Sequence, residues 1–193
     1  MKKAIASAAL SLLAILAVRL PADARRAPDR LDAVQYRNGM AAFDRHDFTT
    51  AGLLLRLPAE HGNASAQAVL CFLHIYGRGV PQSYSEAAFW CHRSAGQGNA
   101  EGQYLLGLLY NTGRGVPESY VEAYKWLNIA AAHATGAKRD YSYRIRDSVA
   151  AKMSPRQVAK AQALSIGWRP VREGRGAVVV VEPCPEGDAC PER

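Results

Sequence analysis

The chain has 193 residues, 49% of them hydrophobic and 21% charged, with a formal net charge of +7. That length suffices for one domain with a substantial core. The positive excess is modest, and no nucleic-acid motif accompanies it, which argues against a nucleic-acid reader; acidic partners, anionic lipid or a cell-wall polymer are what such a charge could favour, and a solvated surface accounts for it as well.

The N-terminus reads as a secretory signal peptide over 1–24. Met1-Lys2-Lys3 opens an apolar run from Ala4 to Val18, and Ala22-Asp23-Ala24 offers small residues at the two positions a signal peptidase inspects. The run is shorter than the roughly 20 apolar residues a membrane span needs. Cleavage after Ala24 removes Lys2, Lys3, Arg19 and Asp23, takes the charge from +7 to +5 and leaves no stable membrane anchor. The expected location is the periplasm, with secretion as the second choice.

Residues 25–32 read as a basic, proline-containing linker. Residues 33–63 read as a degenerate helical hairpin: Tyr36, Gly39, Met40 and Phe43 give one helix face, Asp47 caps a second helix, and Phe48, Ala51, Leu54 and Leu55 face inward. Pro58 is expected to bend that helix or end it early.

From here the chain repeats. Aligned 36 residues apart, 64–99 and 100–135 share 15 of 36 positions, and both carry the same five residues, Gly77-Arg78-Gly79-Val80-Pro81 and Gly113-Arg114-Gly115-Val116-Pro117. A period of this size predicts a stack of supersecondary units, each unable to bury its apolar face alone. In 100–135, Ala100, Gln103, Leu106, Gly107, Leu109 and Tyr110 recur at helical spacing. The glycine loop follows, and Pro117 forbids the first helix from continuing. Ser119-Tyr120-Val121-Glu122 and Ser83-Tyr84-Ser85-Glu86 fit the capping box that opens a second helix. That helix places Tyr120, Ala123, Trp126, Leu127, Ala130 and Ala131 on one face. The predicted fold is all-α, an α-solenoid of antiparallel helix hairpins, with a C-terminal capping hairpin and an irregular tail.

A helical hairpin with Leu106, Gly107 and Tyr110 in its first helix, a Gly-x-Gly-Val-Pro loop, and Ala123 and Trp126 in its second resembles a Sel1-like repeat, a relative of the tetratricopeptide repeats. In 64–99, Cys71 and His74 stand where that pattern has Gly and Tyr. The resemblance implies a stack that holds other proteins together and implies no reaction. It also implies that Gly77, Gly79, Pro81, Trp90, Gly107, Gly113, Gly115, Pro117 and Trp126 build the scaffold. The first helices would then line a concave surface, with Gln67, His74, Gln103, Tyr104 and Tyr110 as contacts for a protein partner. Arg78 and Arg114, at loop tips one repeat apart, could form a small basic ridge.

Residues 136–168 read as capping helices. Tyr141, Ile145, Val149 and Met153 are spaced by four, and Ser154-Pro155-Arg156-Gln157 combines a cap, a first-turn proline and a capping glutamine. Residues 169–193 read as a mobile tail. Its Val run, 177–181, either packs back on the solenoid or pairs with a partner's sheet edge.

Four cysteines in an exported chain suggest disulfides. Cys184 and Cys190 flank a turn and could close a small loop. Cys71 and Cys91 lie mid-way along the two helices of one hairpin: either a bridge staples that repeat, or both are small buried apolar groups. Cysteine-rich relatives bridge their hairpins nearer the open end.

The five histidines, His46, His61, His74, His92 and His133, are scattered, and neither Cys-x-x-Cys nor His-Glu-x-x-His occurs. Gly-x-Ser-x-Gly and Ser-x-x-Lys are absent too. The reading is therefore no cofactor, no metal, no catalytic residue, and a scaffold in the bacterial envelope with one or more protein partners. The alternative is an envelope enzyme or a cell-wall module binding peptidoglycan or a β-lactam. A third reading is a stack that merely presents its tail.

Overall fold

The structure, a computed structural model, describes residues 22–173. The chain divides into two compact units, Met1–Val34 and Gln35–Arg193. The described part of the first unit, residues 22–34, is helical and belongs to α1 (Ala22–Asp44). The expected linker at 25–32 is thus corrected to helix. Its Ala, Arg and Leu residues favour helix, and one proline removes only one amide donor.

The second unit is an α-solenoid. After α1 come α2 (Phe48–Glu60), α3 (Ala64–Tyr76), α4 (Tyr84–Gly96), α5 (Ala100–Thr112), α6 (Tyr120–His133), α7 (Gly136–Ala150) and α8 (Pro155–Gly167). Hairpins α3–α4 and α5–α6 are the two predicted repeats. Each second helix packs on the next first helix, and α3 also packs on α5. No strand occurs among the described residues.

Local chemistry sets each boundary. Asn63 and Asn99 cap α3 and α5 by accepting the amides of Ala66 and Gly102 at 2.9 and 3.0 Å. Gly77 and Gly113 end the same helices at φ of 61° and 65°. Ser83 and Ser119 cap α4 and α6 through the Glu86 and Glu122 amides. The expected capping boxes are only half built there: the Glu122 carboxylate turns to Lys125 instead, at 2.8 Å. The complete box is at Ser154 and Gln157, opening α8. Pro58 does not shorten α2, which keeps 13 residues, the length of α3, α4 and α5. It sits in the last turn, where one missing donor does not propagate, and it is fully buried.

The core follows the period. Ala51, Ala87 and Ala123 are each 0% exposed at one point of successive second helices, and Trp90 and Trp126 are buried as scaffold residues. Four residues past each alanine stand Leu55, Cys91 and Leu127, all fully buried. Opposite them, a Cβ added at Gly39 would press on Leu55, and one at Gly107 on Leu127. In the middle repeat the glycine position is Cys71, and it is bonded to Cys91, with the Cα atoms 5.3 Å apart. The disulfide therefore replaces a glycine–leucine contact that the neighbouring hairpins use. Cys184 and Cys190 lie outside the described residues, as does the Val run.

Residues 169–173 correct the expectation of a mobile tail from 169 onward. Beyond α8 the chain returns along the stack, and the Glu173 carboxylate forms an ion pair with Arg93 at 2.6 Å, both side chains under a tenth exposed. A buried carboxylate needs such a partner, and its position holds the segment against the stack.

Candidate functional site

The face built by the first helices carries two hollows that share one ion pair. The first, about 330 Å³, lies between Tyr36, Met40 and Phe43 of α1 and Val69 and Phe72 of α3. The second, about 270 Å³, lies between Glu101 and Tyr104 of α5 and Lys138 and Tyr141 of α7. Glu101 and Lys138 line both, and their carboxylate and ammonium meet at 2.6 Å with Lys138 78% exposed. An exposed pair of this kind contributes little to stability and stays available to another charge.

Aromatic rings run along this face. Phe43 meets Phe72 edge to face at 5.6 Å, Phe72 meets Tyr76 at 4.7 Å, and Tyr104 meets Tyr141 at 6.0 Å. Burial pushes the Tyr104 phenol up to about 12, with Tyr141, Tyr76 and Glu101 adding to it. Its hydroxyl therefore stays protonated, a hydrogen-bond donor as well as an acceptor.

Of the predicted contact residues, Tyr104 lines this groove. Gln67 and Gln103 do not: both are 0% exposed. They are struts between repeats, donating to Ala59 O at 2.9 Å and Ala95 O at 3.2 Å, one period apart. Each carbonyl also accepts a backbone amide, from Gly62 and Gly98, so the glutamine takes its second acceptor position and satisfies its own buried amide while tying one repeat to the next. His74 is half-buried with Nδ1 3.2 Å from the Pro81 carbonyl, so it ties the loop to its own helix. Arg78 and Arg114 are exposed at the loops, and each guanidinium covers an aromatic ring at the start of the preceding second helix: Phe48 at 5.2 Å and Tyr84 at 5.1 Å. The residues missed by sequence reading are Phe43, Phe72, Glu101, Lys138 and Tyr141. Lys138 and Tyr141 belong to the capping helices, which the pattern marks as closure. Among the described residues no group of three or more His, Cys, Asp or Glu side chains could hold a metal ion.

Tyr110 faces the preceding repeat, its hydroxyl 3.2 Å from His92 Nε2 on α4. Burial holds the His92 imidazole below its ordinary 6.5; Glu122 opposes this and Lys125 adds to it. The unfolded chain thus takes up a proton near pH 6.5, and the folded chain only at lower pH. Stability should fall as pH drops through that window. Urea midpoints on either side of pH 6.5 should show a shallower decline for His92→Gln than for the parent.

The Sel1 repeat family model matches residues 64–99 and 100–134. No curated protein matches the chain. The solved structures similar to it include the following two. One is a protective antigen present in uropathogenic Escherichia coli strains, displaying an SLR fold, at 26% identity and a TM-score of 0.64; the match covers 71% of this chain and 29% of that one. The chain thus spans about three-tenths of that relative's length. The other is a Sel1 repeat protein from Oxalobacter formigenes, at 28% identity and a TM-score of 0.52, covering 63% of this chain and 96% of that one. Residues 64–134 thus carry two Sel1 repeats in tandem, matched at the boundaries the helices define and folded as an α-solenoid like those two structures, and Sel1 repeat proteins generally mediate protein–protein interaction.

Proposed function

We propose that this chain is an exported scaffold of the bacterial envelope, and that its first-helix groove docks a protein partner. The observation that carries the reading is the pair of aromatic-lined hollows joined by the exposed Glu101–Lys138 pair. Such a surface offers apolar anchoring pockets and one exchangeable charge contact, and a preformed groove binds without the cost of ordering itself. Export is supported by the apolar N-terminal segment with its Ala22-Asp23-Ala24 site, and by a disulfide, which persists in oxidising compartments. No helix of the described residues is long and apolar enough to cross a membrane.

The test is a photo-crosslinking residue placed at Tyr104, in cells, against the same residue placed at exposed Leu53 on α2. We expect a discrete protein adduct at 104 only. Adding Lys138→Glu and Phe72→Ala should weaken capture at least about ten-fold, since each removes one part of the groove. Equal adducts at both positions, or capture untouched by the substitutions, would overturn the docking site. Export is checked separately: the N-terminus of the mature protein should read Arg25-Arg26-Ala27.

A further inference from the structure

Beyond α8 the chain turns extended at Trp168 and runs back across two successive seams, the places where one repeat hands over to the next. At the later seam the Trp168 indole packs on Trp126 and His133, with ring centroids 5.9 and 5.7 Å apart. At the earlier seam Glu173 reaches Arg93 and Gln67. Arg93 donates from Nη2 at 2.6 Å and from Nε at 3.0 and 3.2 Å, and Gln67 Nε2 donates at 2.9 Å. Between these ends, Val171 N–H bonds the Gly96 carbonyl at 2.9 Å, and Glu173 N–H bonds Gln97 Oε1 at 3.2 Å.

We propose that this edge of the stack is a second peptide-binding site. Its ligand is an extended segment carrying an aromatic residue and, five positions later, a carboxylate, and in this chain residues 168–173 fill it in cis. The site is separate from the first-helix groove and does not depend on how that groove is used.

Three observations carry this. First, the two seams are the same structure with different side chains. Gln97 and His133 are one period apart, and each bonds the strut of its seam, Gln67 Oε1 at 2.8 Å and Gln103 Oε1 at 3.1 Å. A linear segment lying across them meets two equivalent footholds, one apolar and one charged. Second, recognition is confined to the ends. Trp168 is half-buried and the Glu173 side chain 6% exposed, while Arg169, Pro170, Val171 and Arg172 between them are exposed. The middle positions are held largely through backbone, which tolerates other sequences. Third, the charged end is built for a carboxylate. The Arg93 side chain is 8% exposed, and its other hydrogen bond goes to the Glu60 carbonyl at 3.3 Å. Without an anion it would be a buried, uncompensated charge. A partner segment of this pattern enters by exchanging with the chain's own, and so releases the segment that follows α8. It must compete with a tethered copy at millimolar effective concentration.

The test uses the full-length chain carrying Trp168→Ala and Glu173→Ala, and a labelled hexapeptide Trp-Arg-Pro-Val-Arg-Glu. The double variant should melt several degrees below the parent. The peptide should recover part of that loss and bind the variant about ten-fold or more tighter than the parent, by anisotropy, because the cis competitor is gone. A peptide ending in Gln should do neither. A folded variant that neither binds the peptide nor gains melting temperature overturns the proposal. Should the variant not fold, hydrogen exchange on the unaltered full chain decides. The Val171 amide should exchange faster than those of Leu106 and Leu127, and faster still with excess peptide. Protection equal to those core amides and indifferent to peptide overturns it.

Discussion

Replacing Gly115 by Ala should cost about 4 kcal/mol, well above an ordinary single substitution. Gly115 sits at φ 70°, where an L side chain is strained. Strain alone accounts for only about 1–2 kcal/mol of the loss. The rest is collision: a Cβ there would run into the carbonyl of Tyr84, at the start of the preceding second helix. That neighbour is backbone and cannot rotate away. Gly79 occupies the same place one repeat earlier, at φ 69°, with the backbone of Phe48 and Thr49 in the way, so Gly79→Ala should behave alike. Gly113→Ala is the control. Its φ is 65°, yet its nearest neighbour would be Glu118 Cβ at 3.3 Å, with the Glu118 backbone at ordinary contact distance, so the loss should stay about 1 kcal/mol. Urea unfolding of the three variants checks this. Equal losses at 113 and 115 would show that the turn, not the contact between repeats, is what the motif protects.

Reducing the Cys71–Cys91 bond, or replacing both residues by Ala, should lower stability by about 3 kcal/mol, the loop-closure value for a link of this span. In a domain of this size that is a melting-temperature drop of about 10 °C. The bond sits where the adjacent hairpins put Gly39 against Leu55 and Gly107 against Leu127, so it holds two helices already packed closely. Both cysteines are 0% exposed, so a reductant reaches them only through opening of the hairpin. Melting with and without reductant, after unfolding and refolding, gives the number. A second pair, Cys71→Gly with Cys91→Leu, should recover most of the loss, because it rebuilds the contact used on either side. No recovery would mean that the middle repeat depends on the link itself rather than on its shape.

The groove was half legible. Tyr104 could be named from the repeat, because it lies on a first helix one residue past the strut Gln103. Gln67 and Gln103 were misassigned for a physical reason. A polar side chain on a first helix reads as surface, and only the neighbouring helix end, whose carbonyl can accept a second hydrogen bond, makes a buried amide favourable there. Lys138 and Tyr141 escaped because they stand outside the period, on a helix that seals the stack and also supplies one wall of the second hollow.

By itself the sequence determined the period, the helix pairs and nearly every helix end. Caps, glycine turns and apolar spacing act within a dozen residues, and their hydrogen bonds form wherever those residues occur. Only the tertiary structure decided which glycine backs onto another repeat, that Cys71 meets Cys91 across 20 residues, and that Glu173 neutralises Arg93 from 80 residues away. Those outcomes depend on how one hairpin leans on the next, a geometry set by packing along the whole stack and written in no single repeat.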